Sequence, residues 1–227
     1  MIHSNQAYEN NLVIKCYDKI QDLIVEGAFV PGQKLKIQEL KERFNVGQSP
    51  IREALSRLIN SGLVEAFENK GFRVAQISEE EILDIYRTYT QIELLALKQA
   101  MELGDDAWEA SIVAALHHLS LAETKSATID YATWSERNYA FHVALISGCL
   151  SPLLMQIRAD IYRRFDRYCQ LAFRQTKNRL DANHEEHKQI AEAVLKRDLK
   201  TVTGLITQHI NGSFYEVVQT LKTHKCI

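Results

Sequence analysis

The chain has 227 residues, of which 46% are hydrophobic and 25% are charged, and its formal net charge is −2 at pH 7. This composition is typical of a globular protein, and the near balance of charge excludes a polycation. The four cysteines lack CxxC spacing, which argues against a disulfide framework or a zinc ribbon. Neither a signal-peptide pattern nor an apolar run of about 18 residues is present, so we expect a cytoplasmic protein that is not held in a membrane.

The N-terminal third predicts three helices in succession. Apolar residues recur at helical spacing from Leu12 onward, and this first helix is expected to end near Gly27, before a turn at Pro31-Gly32. A second helix follows, and the apolar residues on one of its faces are Ile37, Leu40 and Phe44. Pro50 suits the first turn of a third helix, where its missing N–H is no loss. The apolar residues of that third helix are Ile51, Leu55, Leu58 and Ile59.

Two short apolar runs, 63–67 and 72–75, follow the third helix and flank a turn-forming stretch at 68–71, which predicts a β-hairpin. Three helices and a hairpin in this order are the layout of a winged helix-turn-helix, whose third helix enters the major groove of DNA. The stretch 34–57 fits that use because it holds six basic residues against three Glu. The side chains expected to contact DNA are Lys36, Gln48, Ser49, Arg52 and Arg57. A solvated surface position stays open as the alternative, above all for Arg57.

The rest of the chain contains one proline and long helical periodicities. We predict six helices, with breaks that include Lys125–Thr128 and Lys177-Asn178, at residues 79–102, 105–123, 128–148, 152–174, 178–196 and 198–222. No alternating strand pattern interrupts them, so a helical bundle is expected. The fold class is therefore mainly α, with a winged helix-turn-helix domain at 1–77 and an all-helical domain at 78–227.

Three histidines lie on the apolar stripes of three of these predicted helices. The stripes are expected to face the interior of the bundle, which brings His142, His187 and His209 inward. Asn138 lies one turn before His142 on the same stripe, so three imidazoles and one amide could form a metal cage. A satisfied core histidine is the ordinary role of a single His on an apolar face, and it stays an even alternative. His184 is expected at the surface, because its i, i+3 spacing to His187 does not fit a zinc-protease motif.

The sequence from Pro31 to Val74 resembles the DNA-binding signature of the GntR family. The match is carried by Pro31-Gly32, Leu40, Pro50-Ile51-Arg52-Glu53-Ala54-Leu55, Leu58, Gly62-Leu63-Val64 and Gly71. The resemblance implies that Arg52 contacts DNA and that Gly71 lies in the wing at the minor groove. Gly47 departs from the family pattern, which usually has Ser there, so a phosphate contact or helix cap from that side chain is missing.

Residues 78–227 look like the FCD ligand-binding domain of the FadR-type branch of the same family. In its metal-binding members, an Asp and a His four residues apart join two later histidines. These positions match Asn138, His142, His187 and His209, and the resemblance implies a divalent transition metal, zinc or nickel. Because the amide of Asn138 carries no charge where the family usually has Asp, we expect weaker metal binding and a stronger pull on an anionic effector.

The family often holds the carboxylate of its effector with an Arg four residues before a Glu on the first helix of this domain. Glu93 matches that Glu, but Tyr89 stands in the place of the Arg and offers one hydrogen bond rather than a charged fork. Either another Arg holds the effector, or the metal mainly holds it. Arg158 on the fourth helix of the domain is the chosen candidate, and Arg163, Arg164 and Arg167 on the same helix are the others. An exposed basic face is the favoured alternative for each of these four arginines.

The resemblance, which is strongest to the CsiR-type members, implies a homodimeric regulator that binds operator DNA and represses transcription by default. It also implies a small organic acid as effector, and a dicarboxylate such as glutarate is a candidate. The main alternative is a metal-dependent enzyme built on His142, His187 and His209, although no residue spacing supplies a general base beside the metal. A second alternative is an architectural DNA-binding protein whose helical domain only dimerises.

Overall fold

The computed structural model describes residues 2–67, 71–124, 131–176 and 184–227. The elements of its N-terminal part are α1 (Ile2–Val25), β1 (Lys34–Leu35), α2 (Ile37–Phe44), α3 (Gln48–Asn60), β2 (Val64–Phe67) and β3 (Gly71–Val74). The elements of its C-terminal part are α4 (Glu79–Leu103), α5 (Asp106–Thr124), α6 (Tyr131–Ile146), α7 (Pro152–Thr176), α8 (His184–Leu195) and α9 (Leu199–Thr223). The predicted winged helix-turn-helix and the predicted helical bundle are both confirmed.

One face of α3 holds the N-terminal part together. Ile51, Leu55 and Leu58 on that face are fully buried. They belong to one apolar cluster with Ile20 and Ile24 of α1, which are fully buried as well. Burial of this stripe against α1 fixes which side of α3 faces the core and leaves the opposite side to solvent.

The turn between α2 and α3 is short and spans three residues, 45–47. Asn45 ends α2 in the left-handed conformation, with φ at 52°, which Asn tolerates better than most residues. Gly47 then stands in extended conformation as the N-cap of α3 and gives no side-chain hydrogen bond to its first turn. The expected lack of a cap at this position is thus confirmed.

The sheet has three antiparallel strands in the order β1-β3-β2. Val64 pairs with Val74 in the hairpin, and Leu35 of β1 pairs with Phe72 on the other edge of β3. The hairpin was predicted but β1 was not, because a strand of two residues is too short to show an alternating pattern. The predicted turn residues 68–70 lie outside the described residues.

Within the described residues, the helices of the bundle begin and end close to the predicted positions, whereas the predicted starts at 128 and 178 lie outside those residues. Ser78 caps α4 by accepting a hydrogen bond from the Glu81 backbone N–H, and acidic side chains in the first turn favour the same start. Asp198 caps α9 in the same way through Thr201. The predicted breaks at Lys125–Thr128 and Lys177-Asn178 fall outside the described residues.

Helix α7 connects the bundle to the N-terminal part through its arginines. Nε of Arg164 donates to the carbonyl oxygen of Ser61, the C-cap of α3, at 2.7 Å. Arg167 donates to the carbonyl of Ala75, just after β3. The favoured view of an exposed basic face is wrong for Arg158 and Arg167, which are only 1% and 2% exposed.

Candidate functional site

Three histidines from three helices meet inside the bundle. His142 of α6, His187 of α8 and His209 of α9 are all buried, and one possible ligand atom from each lies within 4.8 Å of the others. This proximity is what a single metal ion requires of three imidazoles. The predicted convergence of the three side chains is therefore present in the fold.

A carboxylate lies behind each imidazole. Nδ1 of His187 lies 2.7 Å from Oε1 of Glu123, and Nδ1 of His209 lies 2.9 Å from Oε2 of Glu186. Nδ1 of His142 is more distant, at 3.9 Å from Oε1 of Glu93. A carboxylate on Nδ1 fixes the tautomer of a histidine and leaves Nε2 as the metal ligand. These second partners are the arrangement found at metal-binding histidines.

Glu123 also contacts His184, which was expected to be a plain surface residue. Nδ1 of His184 lies 3.0 Å from Oε2 of Glu123, and the His184 side chain is 26% exposed. His184 is thus partly exposed, and Glu123 offers one carboxylate oxygen to each of the two histidines at the start of α8. Sequence reasoning overlooked Glu123, although its position four residues after the buried Leu119 places it on the buried stripe of α5.

His142 is neutral in this environment. Its pKa is lowered well below the ordinary histidine value by burial first, and then by the neighbouring imidazoles of His209 and His187 and the charge of Arg158. A metal binds the neutral form of imidazole, so no proton has to be displaced from this ring before a cation can bind.

Asn138 points an uncommitted oxygen into the same region. Its Oδ1 atom is buried and has no hydrogen-bond partner within the described part of the chain. Asn138 lines a cavity together with His142 and His209. Since buried amide oxygens are nearly always satisfied, an orphaned one beside three histidines fits the role of a further ligand.

The cavity beside the histidines has an empty volume of about 580 Å³, part of it open to solvent. Its wall is strongly aromatic, with contributions from Tyr89, Tyr131, Trp134, Tyr162 and Phe165. Asp166 and two serines add polar groups to it. Sequence analysis did not predict Asp166 as a site residue, because most of the other residues that line this cavity come from other helices.

Arg158 is committed to two side chains of α4. Its Nε and Nη2 atoms form a fork on Glu93, at 2.8 and 3.2 Å, and Nη2 also donates to the Tyr89 hydroxyl at 2.8 Å. The guanidinium carbon lies within 5.5 Å of the ring centroids of Tyr89, Tyr139 and Tyr162. Of the three residues predicted to bind the effector, Tyr89 lines the cavity, while Glu93 and Arg158 lie buried behind it.

The candidate DNA-binding residues lie on the solvent side of α3 and around it. Gln48, Ser49 and Arg52 are exposed, and Arg52 forms no ion pair with any residue that the structure describes. Arg57 and Lys36 are exposed but paired, with Glu53 at 2.6 Å and with Glu39 at 2.7 Å. The last candidate, at the first position of β3, is Gly71.

Comparison with known proteins matches both parts of the chain. Residues 13–74 match the family of bacterial regulatory proteins named gntR, and residues 84–212 match the FCD domain. The HTH-type transcriptional repressor GlaR of Escherichia coli (strain K12) is 35% identical over 198 residues, which cover 86% of this chain and 90% of GlaR. The chain belongs to the GntR family. It carries the FCD domain of the FadR-type branch, as the resemblance implied.

Two further proteins are similar to this GntR regulator over nearly its full length. The uncharacterized HTH-type transcriptional regulator BphR of Paraburkholderia xenovorans (strain LB400) is 33% identical over 94% of this chain and 88% of its own length. The solved structure of McbR/YncC of E. coli has the same fold, with a TM-score of 0.75, 21% identity and coverage of 90% of this chain and 97% of that one.

These matches make the protein a transcription regulator with a winged helix-turn-helix and an FCD effector-binding domain. The alternative of a metal-dependent enzyme is not supported, because the relatives that match both domains are regulators. Among the residues that the structure describes, no helix combines the length and the apolar character needed to cross a membrane.

Proposed function

We propose that this GntR regulator represses transcription from an operator and responds to a small carboxylate that enters the cavity beside the three histidines. Residues 1–77 would bind the DNA and residues 78–227 would bind the effector. The protein would act in the cytoplasm. The division near residue 77 is supported by the two matched segments, which end at 74 and begin at 84. The observation that carries the proposal is a buried histidine cluster beside a cavity with an aromatic wall.

Operator binding is assigned to the solvent side of α3. Arg52 is exposed and its charge is not neutralised by an ion pair of the described residues, so it can reach a base edge or a phosphate. Gln48 and Ser49 flank it at the start of the helix, where backbone N–H groups also favour a phosphate. Lys36 and Arg57 would add phosphate contacts after releasing their Glu partners, and Gly71 would let the wing approach the minor groove.

Four side chains would hold a divalent transition metal, with zinc or nickel as the first choices. His142, His187 and His209 supply three neutral imidazoles, and the orphaned Oδ1 of Asn138 supplies a fourth ligand atom. The donor set fits because each imidazole has a carboxylate near Nδ1 that directs Nε2 toward the centre. When bound, the metal would supply positive charge for an anionic effector, because none of its four direct ligands is charged.

Tyr89 would orient the effector from the wall of the cavity. Its hydroxyl accepts a hydrogen bond from Arg158, and burial first of all raises its pKa well above the ordinary tyrosine value, so it stays protonated. Arg158 lies close enough to His142 to lower the pKa of that ring. Arg158 and Glu93 would therefore act on the effector through Tyr89 and through the positive charge that Arg158 adds beside the metal site.

Homodimer formation is assigned to an exposed apolar stripe at the start of α7. Leu150, just before α7, and Leu153 and Ile157 within it are 76%, 68% and 40% exposed. Leu153 and Ile157 lie on one side of the helix by their i, i+4 spacing. Exposed apolar residues in a group are typical of protein interfaces. Sedimentation analysis should find a dimer for the wild type and a monomer for Leu153→Glu, and a dimer for both would place the interface elsewhere.

Metal retention tests the histidine site. The wild type and the variants Asn138→Asp, His187→Ala and Asn211→Asp are loaded with zinc, dialysed against a chelator series and analysed for metal. We expect Asn138→Asp to keep zinc at chelator concentrations that strip the wild type, since a charged ligand binds a cation more strongly than an amide. His187→Ala should lose zinc first, and Asn211→Asp, at an exposed position of α9, should behave as the wild type.

Two results would contradict the site. Equal retention by Asn138→Asp and the wild type would mean that residue 138 is not a ligand. Full retention by His187→Ala would mean that zinc binds elsewhere.

Heating the zinc-loaded and the stripped protein with small carboxylates then tests the sensor, because a ligand of the folded state raises the melting temperature. An architectural protein whose helical domain only dimerises would show no shift.

A further inference from the structure

A carboxyl group of α7 in the wall of the effector cavity has no role in the proposed function. Asp166 lines the same cavity as Asn138, His142 and His209. Its carboxyl accepts a hydrogen bond from the side chain of Gln170 and takes part in no ion pair of the described residues. A small carboxylate at the histidine cluster would thus share its cavity with a second acid group.

Two arginines near Asp166 on α7, Arg163 and Arg167, form hydrogen bonds with other groups. Arg163 contacts Asp160 at 3.3 Å and the side chain of Gln21 at 3.3 Å. Arg167 donates to the carbonyl of Ala75. These contacts lie on the side of α7 that faces the N-terminal part, whereas Asp166 lies on the cavity side. Within the described part of the chain, no basic residue therefore compensates the Asp166 charge.

Aromatic rings make up much of the wall around this carboxyl. Tyr131, Trp134, Tyr162 and Phe165 line the cavity with Asp166. Tyr162 lies one helical turn before Asp166 on α7, and both residues line the cavity. A carboxylate among aromatic faces is the environment in which proteins bind an ammonium group, through an ion pair and cation–π attraction.

We propose that the effector carries an ammonium group in addition to its carboxylate, with the carboxylate at the histidine cluster and the ammonium at Asp166 and the surrounding rings. This inference rests on the proposed function and narrows its ligand class to amino acids. A dicarboxylate such as glutarate fits less well, because its second carboxylate would meet Asp166 with a charge of the same sign.

The test compares two acids of the same chain length on the full-length, zinc-loaded protein by calorimetry. Glutarate and 5-aminovalerate share one carboxylate and differ at the other end, which is a carboxylate in the first and an ammonium in the second. We expect 5-aminovalerate to bind the wild type at least about tenfold more tightly, the worth of one charge-assisted hydrogen bond. Asp166→Asn should weaken 5-aminovalerate by a similar factor and bring the two acids close together. Asp160→Asn, an exposed carboxylate of the same helix, is the matched control and should change neither.

Each other outcome identifies which statement fails. Equal or tighter binding of glutarate to the wild type would overturn the inference while leaving the carboxylate sensor in place. An unchanged preference in Asp166→Asn would also overturn it, because another group would then select the ammonium. Binding of neither acid would contradict the sensor itself, and the inference with it. The wild-type comparison needs no variant, so it decides the matter even if Asp166→Asn folds poorly.

Discussion

Asp166 destabilises the empty protein, because burial raises the pKa of its carboxyl to about 6. A carboxyl whose pKa is higher in the folded than in the unfolded chain weakens the fold once the pH exceeds the unfolded value of about 3.9. The penalty grows as the pH rises between these two pKa values and is complete above the folded one. A ligand cation would remove this penalty, because it would neutralise the Asp166 charge. The binding site thus lowers the stability of the empty protein and favours the bound form.

Asp166→Asn should therefore stabilise the ligand-free protein at neutral pH. We expect the free energy of unfolding to rise by up to about 3 kcal/mol at pH 7.5 and by roughly half as much at pH 5, following the shift of about two units. Urea unfolding at both pH values measures this, with Asp160→Asn as the control. A variant that is less stable than the wild type at pH 7.5 would mean that the Asp166 charge is compensated.

Arg158 and Glu93 form a deeply buried ion pair, each with a side chain only 1% exposed. Removing one partner leaves a buried charge alone, so Arg158→Met should lower the free energy of unfolding by about 3–5 kcal/mol. The double variant Arg158→Met with Glu93→Gln should recover much of that loss. Urea unfolding of the single and double variants gives the coupling energy, and strictly additive losses would contradict a direct pair.

At the scale of elements, two sides of α7 contact different parts of the protein. One side brings Tyr162, Phe165 and Asp166 to the cavity wall, and the other brings Arg164 and Arg167 to the ends of α3 and β3. A rigid helix cannot shift on one side without shifting on the other. Occupation of the cavity can thus bias the position of α3 through α7, provided that the effector binds the two positions with different affinity.

Gly62 lies at the contact between Arg164 of α7 and the end of α3. It has a φ of +73°, and a Cβ added there would collide with the guanidinium of Arg164. Gly62→Ala should therefore lower the free energy of unfolding by at least about 1–2 kcal/mol from the backbone alone. Adding Arg164→Ala should relieve only the collision.

Gly204 of α9 offers the opposite control, because nothing lies within 4 Å of a Cβ added there. Gly204→Ala should stabilise the protein by about 0.5–1 kcal/mol, as alanine does in a helix. Urea unfolding compares the variants, and a Gly62→Ala protein as stable as Gly204→Ala would contradict the left-handed backbone conformation of residue 62.

For the whole molecule, the sequence predicted what depends on local periodicity. The apolar stripes placed the helices of both domains, and the same stripes turned His142, His187 and His209 toward one centre. What it could not predict are partners from distant segments. Arg158 lies 65 residues from Glu93, and its burial depends on a pairing that no local pattern encodes. The same holds for Arg164, whose partner Ser61 belongs to the other domain.

DNA binding by the exposed side of α3 is the claim on which the regulator depends, and fluorescence anisotropy tests it most directly. The probe is a duplex selected by the protein from random sequences, titrated over a series of NaCl concentrations. We expect affinity to fall steeply with salt. Arg52→Ala should cost about 1–3 kcal/mol, or roughly five- to 150-fold in Kd. Arg87→Ala, an exposed arginine of α4, should bind as the wild type does. Affinity that does not change with salt, or an Arg52→Ala protein that binds as tightly as the wild type, would contradict binding through α3.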